Sequence, residues 1–510
     1  MKRLLCLIVG LVMFCGAATA QLTDRKQVDK LNTVYKYIRD SYVDDVSLEP
    51  LVERAIIASF KELDPHSKYL TKEEMESAKS RLRGEYAGIG IKYTIHNDTV
   101  VVRGTLKNSP AQNGAIRPND RIISINSHSL VGVSIDSVTT LLKGGVGSVA
   151  TLEVKRQGVD VPLSVKLKRE IVEQSAIESA LRFGDVGYIA ISSFPRRVDN
   201  DFYAAYMGLG DIKALVVDLR DNGGGYISSA INLTSLFLEK DDVIVETEGS
   251  NDNKVYRKRR DTKPIDIPLV VLINENSASA SEIFAGAIQD HDRGIIVGHT
   301  SFGKGLVQRI FNLNDGSGIY LTVARYKTPS GRVIQRPYTM GEGGAYIADS
   351  LRYLHPDSIS YKDRPIYKTL KLGREVYGGG GITPDRYIDV SGEKISDVVI
   401  ESIKEGVVEH TIIDYCDEIA IDTIKQTYPQ VEEFYQKYNM DARLREIFDS
   451  RVQYDIDNLT EFDRAYVKTM ILSTLADRVY GQNGYYYIYV LGFDTMAKVA
   501  IEIAKNEIVE

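Results

Sequence analysis

Three segments of the chain bring together residue types that could carry acyl-transfer chemistry. The first is Asn276-Ser277-Ala278-Ser279-Ala280-Ser281-Glu282-Ile283-Phe284-Ala285-Gly286, which follows an apolar strand-like run and opens a helical pattern. A hydroxyl at a strand-to-helix turn stands beside the free N–H groups and positive end of the helix, which would stabilise an oxyanion developing there. Ser279-x-x-Glu282 is equally a capping box, and the segment by itself favours that plainer reading, with Ser279 as N-cap only. The second segment is Thr300-Ser301-Phe302-Gly303-Lys304-Gly305-Leu306-Val307-Gln308. A lysine base must be neutral, and near its reference pKa of about 10.4 only about one molecule in a thousand is neutral at pH 7. Flanking glycines let backbone crowd onto Lys304, and the resulting desolvation would lower that pKa. A surface lysine in a flexible loop fits the spacing as well. The third segment, Asp218-Leu219-Arg220-Asp221-Asn222-Gly223-Gly224-Gly225, ends another apolar run; its glycines could aim N–H groups at an anion, or simply make a tight turn.

Competing chemistries fail on specific residues. Gly298-x-x-x-x-Gly303-Lys304 has the spacing of a phosphate-binding loop, but Gly305 stands where Ser or Thr would hold magnesium, and Leu306 to Ile310 reads as a strand rather than a helix. No Gly-x-Ser-x-Gly elbow is present, and none of the seven histidines has a distinctive setting; His291, near the end of a helical pattern, answers the helix dipole. No His/Glu/Cys spacing suggests a metal site.

The elements that must position these residues follow from periodicity. From Gly187 onward apolar runs such as Ala214 to Asp218 and Leu269 to Ile273 alternate with amphipathic helical patterns, predicting an α/β core with its active ends at strand-to-helix turns. Residues 21–87 carry helical spacing, with Asp64-Pro65 closing a helix. Residues 88–170 change to short β-type runs with one short helix near Asp136 to Leu142, a compact unit of about eighty residues. This α/β core would span 171–392. Beyond Gly378 to Gly381, residues 393–510 are helical in period and offer no chemistry of their own.

At 510 residues, 43% hydrophobic and 26% charged, the chain is long enough for several domains and ordinary in composition. Lys2 and Arg3, the apolar run Leu4 to Phe14, and Ala18-Thr19-Ala20 read as a secretory signal cleaved after Ala20; the run is too short to span a membrane. Bulky Phe14 before Cys15 speaks against lipidation. Cys6 and Cys15 leave with the signal, so Cys416 alone remains and no internal disulfide forms. The net charge of −7 becomes −9 without Lys2 and Arg3, which argues against nucleic acid as partner; the basic run Lys254 to Arg260 reads as a solvated strand edge or loop.

Taken in order, Leu63-Asp64-Pro65-His66-Ser67, Gly88-Ile89-Gly90-Ile91, Arg220 to Gly225, Ser277 to Glu282, Phe302-Gly303-Lys304-Gly305, Arg325 to Gly331 and Gly381-Ile382-Thr383-Pro384-Asp385 resemble the C-terminal processing peptidases. That resemblance implies a mixed α/β (α+β multidomain) architecture, with a crotonase-like serine protease core, an inserted PDZ domain and helical N- and C-terminal regions. It implies a Ser-Lys dyad of Ser279 and Lys304, with Gln308 orienting the amine and the N–H groups of Ala280 and Gly225 (in preference to Gly224) forming the oxyanion site. Ser277 and Ser281 become structural. Gly88, Ile89, Gly90 and Ile91 become the loop that captures a tail carboxylate, the tail adding as a strand beside Ile91-Lys92-Tyr93 opposite Val138 and Leu141. Asn119-Asp120 and Asn126-Ser127 depart from the usual Gly-Asp and Asn-Gly; asparagine tolerates left-handed backbone better than most residues, which predicts a slightly altered loop in an intact domain. The implied function is an exported, periplasmic or extracytoplasmic endopeptidase acting without metal or nucleotide cofactor on proteins with apolar C-terminal tails; membrane association, homo-oligomer formation and an activating adaptor stay open. The alternative is a PDZ peptide-binding scaffold with an idle dyad.

Overall fold

The computed structural model describes residues 25–250, 253–343, 346 and 364–508, so the segment read as a secretory signal lies outside the described residues. Its centre is a six-stranded sheet in the order Ile177–Phe183, Val186–Ile191, Ala214–Asp218, Leu269–Ile273, Ile295–Gly298 and Arg386–Tyr387. The first pair is antiparallel and the remaining neighbours are parallel. Because successive side chains on a strand point to opposite faces, Leu215, Val217, Leu269, Val271 and Ile273 enter one core while Val216, Val270 and Leu272 enter another. Helices Val198–Gly208, Ile227–Thr234 and Ala280–Asp290 cover the first face through Phe202, Leu233 and Phe284. The second face is covered by the last helix, Thr495–Asn506, through Ala497, Ala500, Ile501 and Ala504. The C-terminal helical segment thus contributes a wall of the central core, besides packing its own helices from Asp397–Lys404 to Glu461–Tyr480 around Ile412, Phe448, Ile471 and Leu475.

A second sheet carries the lysine segment. Strand Leu306–Asn312 pairs antiparallel with Gly318–Lys327, which also pairs with Lys68–Leu70 and Val243–Glu248. Near the N-terminus, helix Lys72–Arg83 starts at a Thr71–Glu74 capping box and stops at Gly84, whose left-handed φ of 69° ends it.

Residues 91–168 form a separate antiparallel sheet, Ile91–His96, Thr99–Thr105, Arg121–Ile125, Val149–Lys155 and Leu163–Lys168, with helix Ile135–Leu142 closing a core of Val100, Val102, Ile122, Val138 and Leu152. Asn119 and Asn126 adopt φ of 68° and 49°, so the asparagines at the two departures from the family pattern sit in left-handed backbone, which their type tolerates better than most. Ser127 does the same at 66°. The basic run is less solvated than its composition suggested: Lys258 is buried, and its ammonium donates to the carbonyls of Leu238 and Thr262, both at 2.6 Å. Two fixed carbonyls replace the lost water, which is what lets the charge sit inside.

Candidate active site

Ser279 occupies the turn between strand Leu269–Ile273 and helix Ala280–Asp290, with φ 58° and ψ −109°. Such a conformation costs a non-glycine residue about 1–3 kcal/mol and persists only where the surroundings enforce it. The surroundings here are explicit. Ser277 Oγ donates to the carbonyl of Leu219 at 2.7 Å, Ser281 Oγ to that of Asn222 at 2.8 Å, and Ala278 N to that of Asn222 at 3.0 Å. The flanking serines therefore rivet the Ser279 turn to the glycine turn.

The cap reading fits only in part. The reciprocal outline of a capping box is there, but the bonds of good geometry are Ser279 N to Glu282 Oε2 at 2.8 Å and Glu282 N to the Ser279 carbonyl at 3.0 Å; the hydroxyl makes no capping hydrogen bond. Ser279 Oγ is left facing a cleft of about 1080 Å³ that Lys304, Gln308, Gly225, Tyr226 and His66 also line.

Glu282 organises both halves of the site. Its buried carboxylate accepts from Ser279 N, from Ser301 Oγ and Gly303 N, each at 2.6 Å, and from Lys304 N at 2.9 Å. One side chain thereby fixes the backbone of the serine turn and of the lysine loop. Burial pushes its pKa up, opposed by these four donors. Sequence reading recognised Glu282 only as a cap partner; nothing in its spacing to Lys304 foretold the second pair of bonds.

Lys304 is half-buried, and its amine is held below the ordinary lysine pKa chiefly by desolvation, with the nearby Glu282 carboxylate opposing and Lys68 adding to the depression. Close backbone approach requires the flanking glycines: a Cβ on Gly303 would meet Gly381 N at 3.0 Å, and one on Gly305 would meet Gln335 N at 2.9 Å. Among the described residues no hydrogen bond joins Lys304 Nζ to Ser279 Oγ, so the two polar atoms line one cleft without being engaged. Catalytic contacts often tighten only when substrate is bound. Gln308 follows a register irregularity between Val307 and Gln308, and its Nε2 is buried without a partner among the described residues. A bulge of this kind re-aims the side chain away from the regular ladder.

Two main-chain donors also have no partner among the described residues. Gly224 N is occupied by Asn222 Oδ1 at 2.9 Å, whereas neither Gly225 N nor Ala280 N donates to a described group. Gly224 brings these donors' segments together, since a Cβ there would lie 2.7 Å from the Ala278 carbonyl oxygen and 2.9 Å from Ala280 N, at a φ of 99°. His66, carried by Leu63 to Ser67, was not singled out by the sequence among the histidines. Burial, with the positive Lys304 secondary, lowers its pKa to about 4, so it stays neutral at pH 7. Among the described residues no group of three or more His, Cys, Asp or Glu could hold a metal ion.

At the distant loop, Ile89 and Gly90 make no main-chain N–H bond to a described group, while the Gly90 carbonyl accepts from Leu106 N at 2.9 Å and Ser109 Oγ at 3.1 Å. Gly88 ends strand Glu85–Gly88, paired with Glu170–Glu173, and Ile91 begins the strand beside helix Ile135–Leu142.

Residues 185–340 match the family model of peptidase family S41, and residues 77–155 match that of the PDZ domain. The chain is 36% identical over 320 residues to a carboxy-terminal-processing protease of Bartonella bacilliformis, covering 61% of this chain and 73% of that one. It is 32% identical over 368 residues to a probable CtpA-like serine protease of Staphylococcus aureus, covering 70% and 73%. Among solved structures, the photosystem II D1 C-terminal processing protease is similar at 24% identity and a TM-score of 0.34, over 70% of this chain and 86% of that one. An identity of this level across most of the length of curated relatives places the chain in peptidase family S41, the carboxy-terminal-processing serine proteases, with a PDZ domain between its N-terminal helices and its protease core.

Proposed function

We propose that the chain is an exported endopeptidase that recognises C-terminal tails through its PDZ domain and cleaves by a Ser279–Lys304 acyl-enzyme mechanism. The observation that carries this reading is the convergence on one cleft of a strained, uncapped serine, a desolvated lysine and Gly225, whose N–H donates to no described group, with the equally unengaged N–H of Ala280 next to the serine in the chain. Neutral Lys304 Nζ takes the proton of Ser279 as Oγ bonds to the scissile carbonyl carbon. The oxyanion is received by the N–H groups of Ala280 and Gly225. Lys304 then returns its proton to the leaving amine as the C–N bond breaks, and a water repeats the sequence on the ester to release the acid and restore Ser279. Gln308, which lines the cleft and whose buried Nε2 has no partner among the described residues, orients the amine of Lys304.

The tail's carboxylate is received by the Gly88 to Ile91 loop, where the N–H groups of Ile89 and Gly90 are unengaged, and its preceding residues pair along Ile91-Lys92-Tyr93. Apolar tail residues suit the Val138 and Leu141 side of the flanking helix. Export follows from the Lys2 to Ala20 leader. Incubating unfolded casein with wild type, Ser279→Ala and Lys304→Ala chains tests the mechanism. Both variants should be folded and inert, and turnover like wild type in either would sink the dyad. A chain that binds apolar-tailed peptides but never cleaves any protein would favour the scaffold reading instead.

A further inference from the structure

The glycine turn that offers Gly225 N–H is held from one side by the protease core and from the other by a residue 274 positions away. On the first side, Leu219 N donates to the Leu272 carbonyl at 2.8 Å, and Asn222 Nδ2 to that of Ile191 at 2.8 Å. On the second side the turn is reached through Arg220. Its guanidinium lies between two carboxylates: Nε and Nη2 donate to Asp218, at 3.0 Å and 2.6 Å to Oδ2, and Nη1 and Nη2 donate to Asp494 Oδ1 and Oδ2 at 2.9 Å and 2.6 Å. Asp218 is itself held by Tyr188 OH at 2.6 Å and takes Arg220 N at 2.9 Å.

Asp218 ends strand Ala214–Asp218 and ties Arg220 to the central sheet from within its own segment. Asp494 ties it from a second, separate element. It is the N-cap of the last helix, accepting Ala497 N at 3.0 Å, and that helix is packed on the central sheet through Ala497, Ala500 and Ile501. Both carboxylates are almost fully buried, each with 6% side-chain exposure, where a bidentate ion pair keeps strict geometry.

We infer that Asp494 is a positioning residue for the oxyanion site, setting the glycine turn through Arg220 from a helix outside residues 185–340. It touches no reacting atom. This inference rests on the proposed serine mechanism, and the experiment separates failure of the one from failure of the other.

In the full chain, Asp494→Ser keeps a capping oxygen for Ala497 N but is too short and uncharged for Arg220, and Asp494→Glu restores a carboxylate. Kinetics on unfolded casein, inhibition by a peptidyl boronic acid that forms a tetrahedral adduct on Ser279, and binding of an unreactive peptide in a Ser279→Ala background are compared. The expected result is a kcat loss of about tenfold to a hundredfold with KM little changed, boronate affinity falling by the same factor, peptide affinity unchanged, and partial recovery in the Glu variant. A folded Asp494→Ser chain with wild-type kcat overturns the inference. So does an equal weakening of boronate and unreactive peptide, which would mark a general loosening. Should Ser279→Ala itself leave turnover intact, the serine mechanism falls and this inference with it, a result that no variant at position 494 could produce.

Discussion

Replacing Glu282 by Gln separates its role as a spacer between two turns from its role as a charge. Oε1 accepts from Ser301 Oγ and Gly303 N, and Oε2 from Ser279 N and Lys304 N. An amide has one oxygen, so one of these pairs must face an NH₂ group. Placing the NH₂ toward Ser279 and Lys304 would set it against two fixed N–H donors. Toward Ser301 it meets one fixed donor, Gly303 N, and a hydroxyl that can rotate to accept; the latter orientation wins. The loss is then one charge-assisted bond and one buried unsatisfied N–H, about 2–3 kcal/mol, with weakening of the two bonds that remain. Against this, the amide relieves the desolvation that already raises the carboxyl's pKa. The net destabilisation is therefore expected near about 2 kcal/mol, small beside the stability of a typical domain, so the variant folds. Activity should suffer more than stability, because Lys304 and Ser279 are placed through the same carboxylate, and a displacement on the order of 1 Å can cost about a hundredfold in rate. Thermal unfolding and casein cleavage measured on one preparation decide the matter. A folded Glu282→Gln chain with kcat within about threefold of wild type would refute the claim that this carboxylate sets the dyad.

Lys304→Met should abolish cleavage yet raise the unfolding temperature at pH 7. The depressed amine binds fewer protons when folded than when unfolded, so its contribution to stability is lost as pH falls below the unfolded value of about 10.4, and an apolar isostere removes that cost. By the same sign, kcat/KM in the wild type should rise with pH as Lys304 loses its proton at a value below the ordinary lysine range, and a flat profile across pH 6 to 10 would count against it as base. Ser279→Gly should unfold at a higher temperature than Ser279→Ala, since glycine relieves a positive φ that costs alanine about 1 kcal/mol or more; equal melting temperatures would deny the strain. Tyr93→Phe removes the 2.6 Å bond to Thr139 that ties the strand to the helix on either side of the groove proposed for the tail, so affinity for an apolar-tailed peptide, read by calorimetry, should increase by up to about tenfold. Unchanged or weaker binding would show that the bond does not restrain the groove.

The order of elements was legible because periodicity is local. Leu269 to Ile273 announces a buried strand, Ser279-x-x-Glu282 a helix start, and the asparagines at 119 and 126 a tolerance for left-handed backbone, each from a handful of neighbours. Ser279 and Lys304 could be nominated from their settings, but their convergence on one cleft depends on two separate sheets meeting, which no spacing encodes. Glu282 illustrates the limit. Its bonds to Ser279 lie within one turn of helix and were foreseeable, whereas those to Gly303 and Lys304 span 21 and 22 residues. Lys258 failed differently: a run of basic residues suggests solvent, and only the three-dimensional path of Leu238 and Thr262 shows two carbonyls waiting for its ammonium.

The C-terminal segment shows why absence of a motif is weak evidence about function. Its helices look generic because their side chains do generic things, burying alanine and isoleucine against a sheet face that would otherwise be open. A parallel sheet needs cover on both faces, so whichever helix supplies the second cover also acquires leverage on the strand ends beneath it. In this fold those ends carry Asp218 and Arg220, one short turn from Gly225. A helix recruited for packing thus stands where a single carboxylate at its N-cap can reach the site, and removing the last helix should disable catalysis even though every residue assigned to the chemistry lies before residue 310.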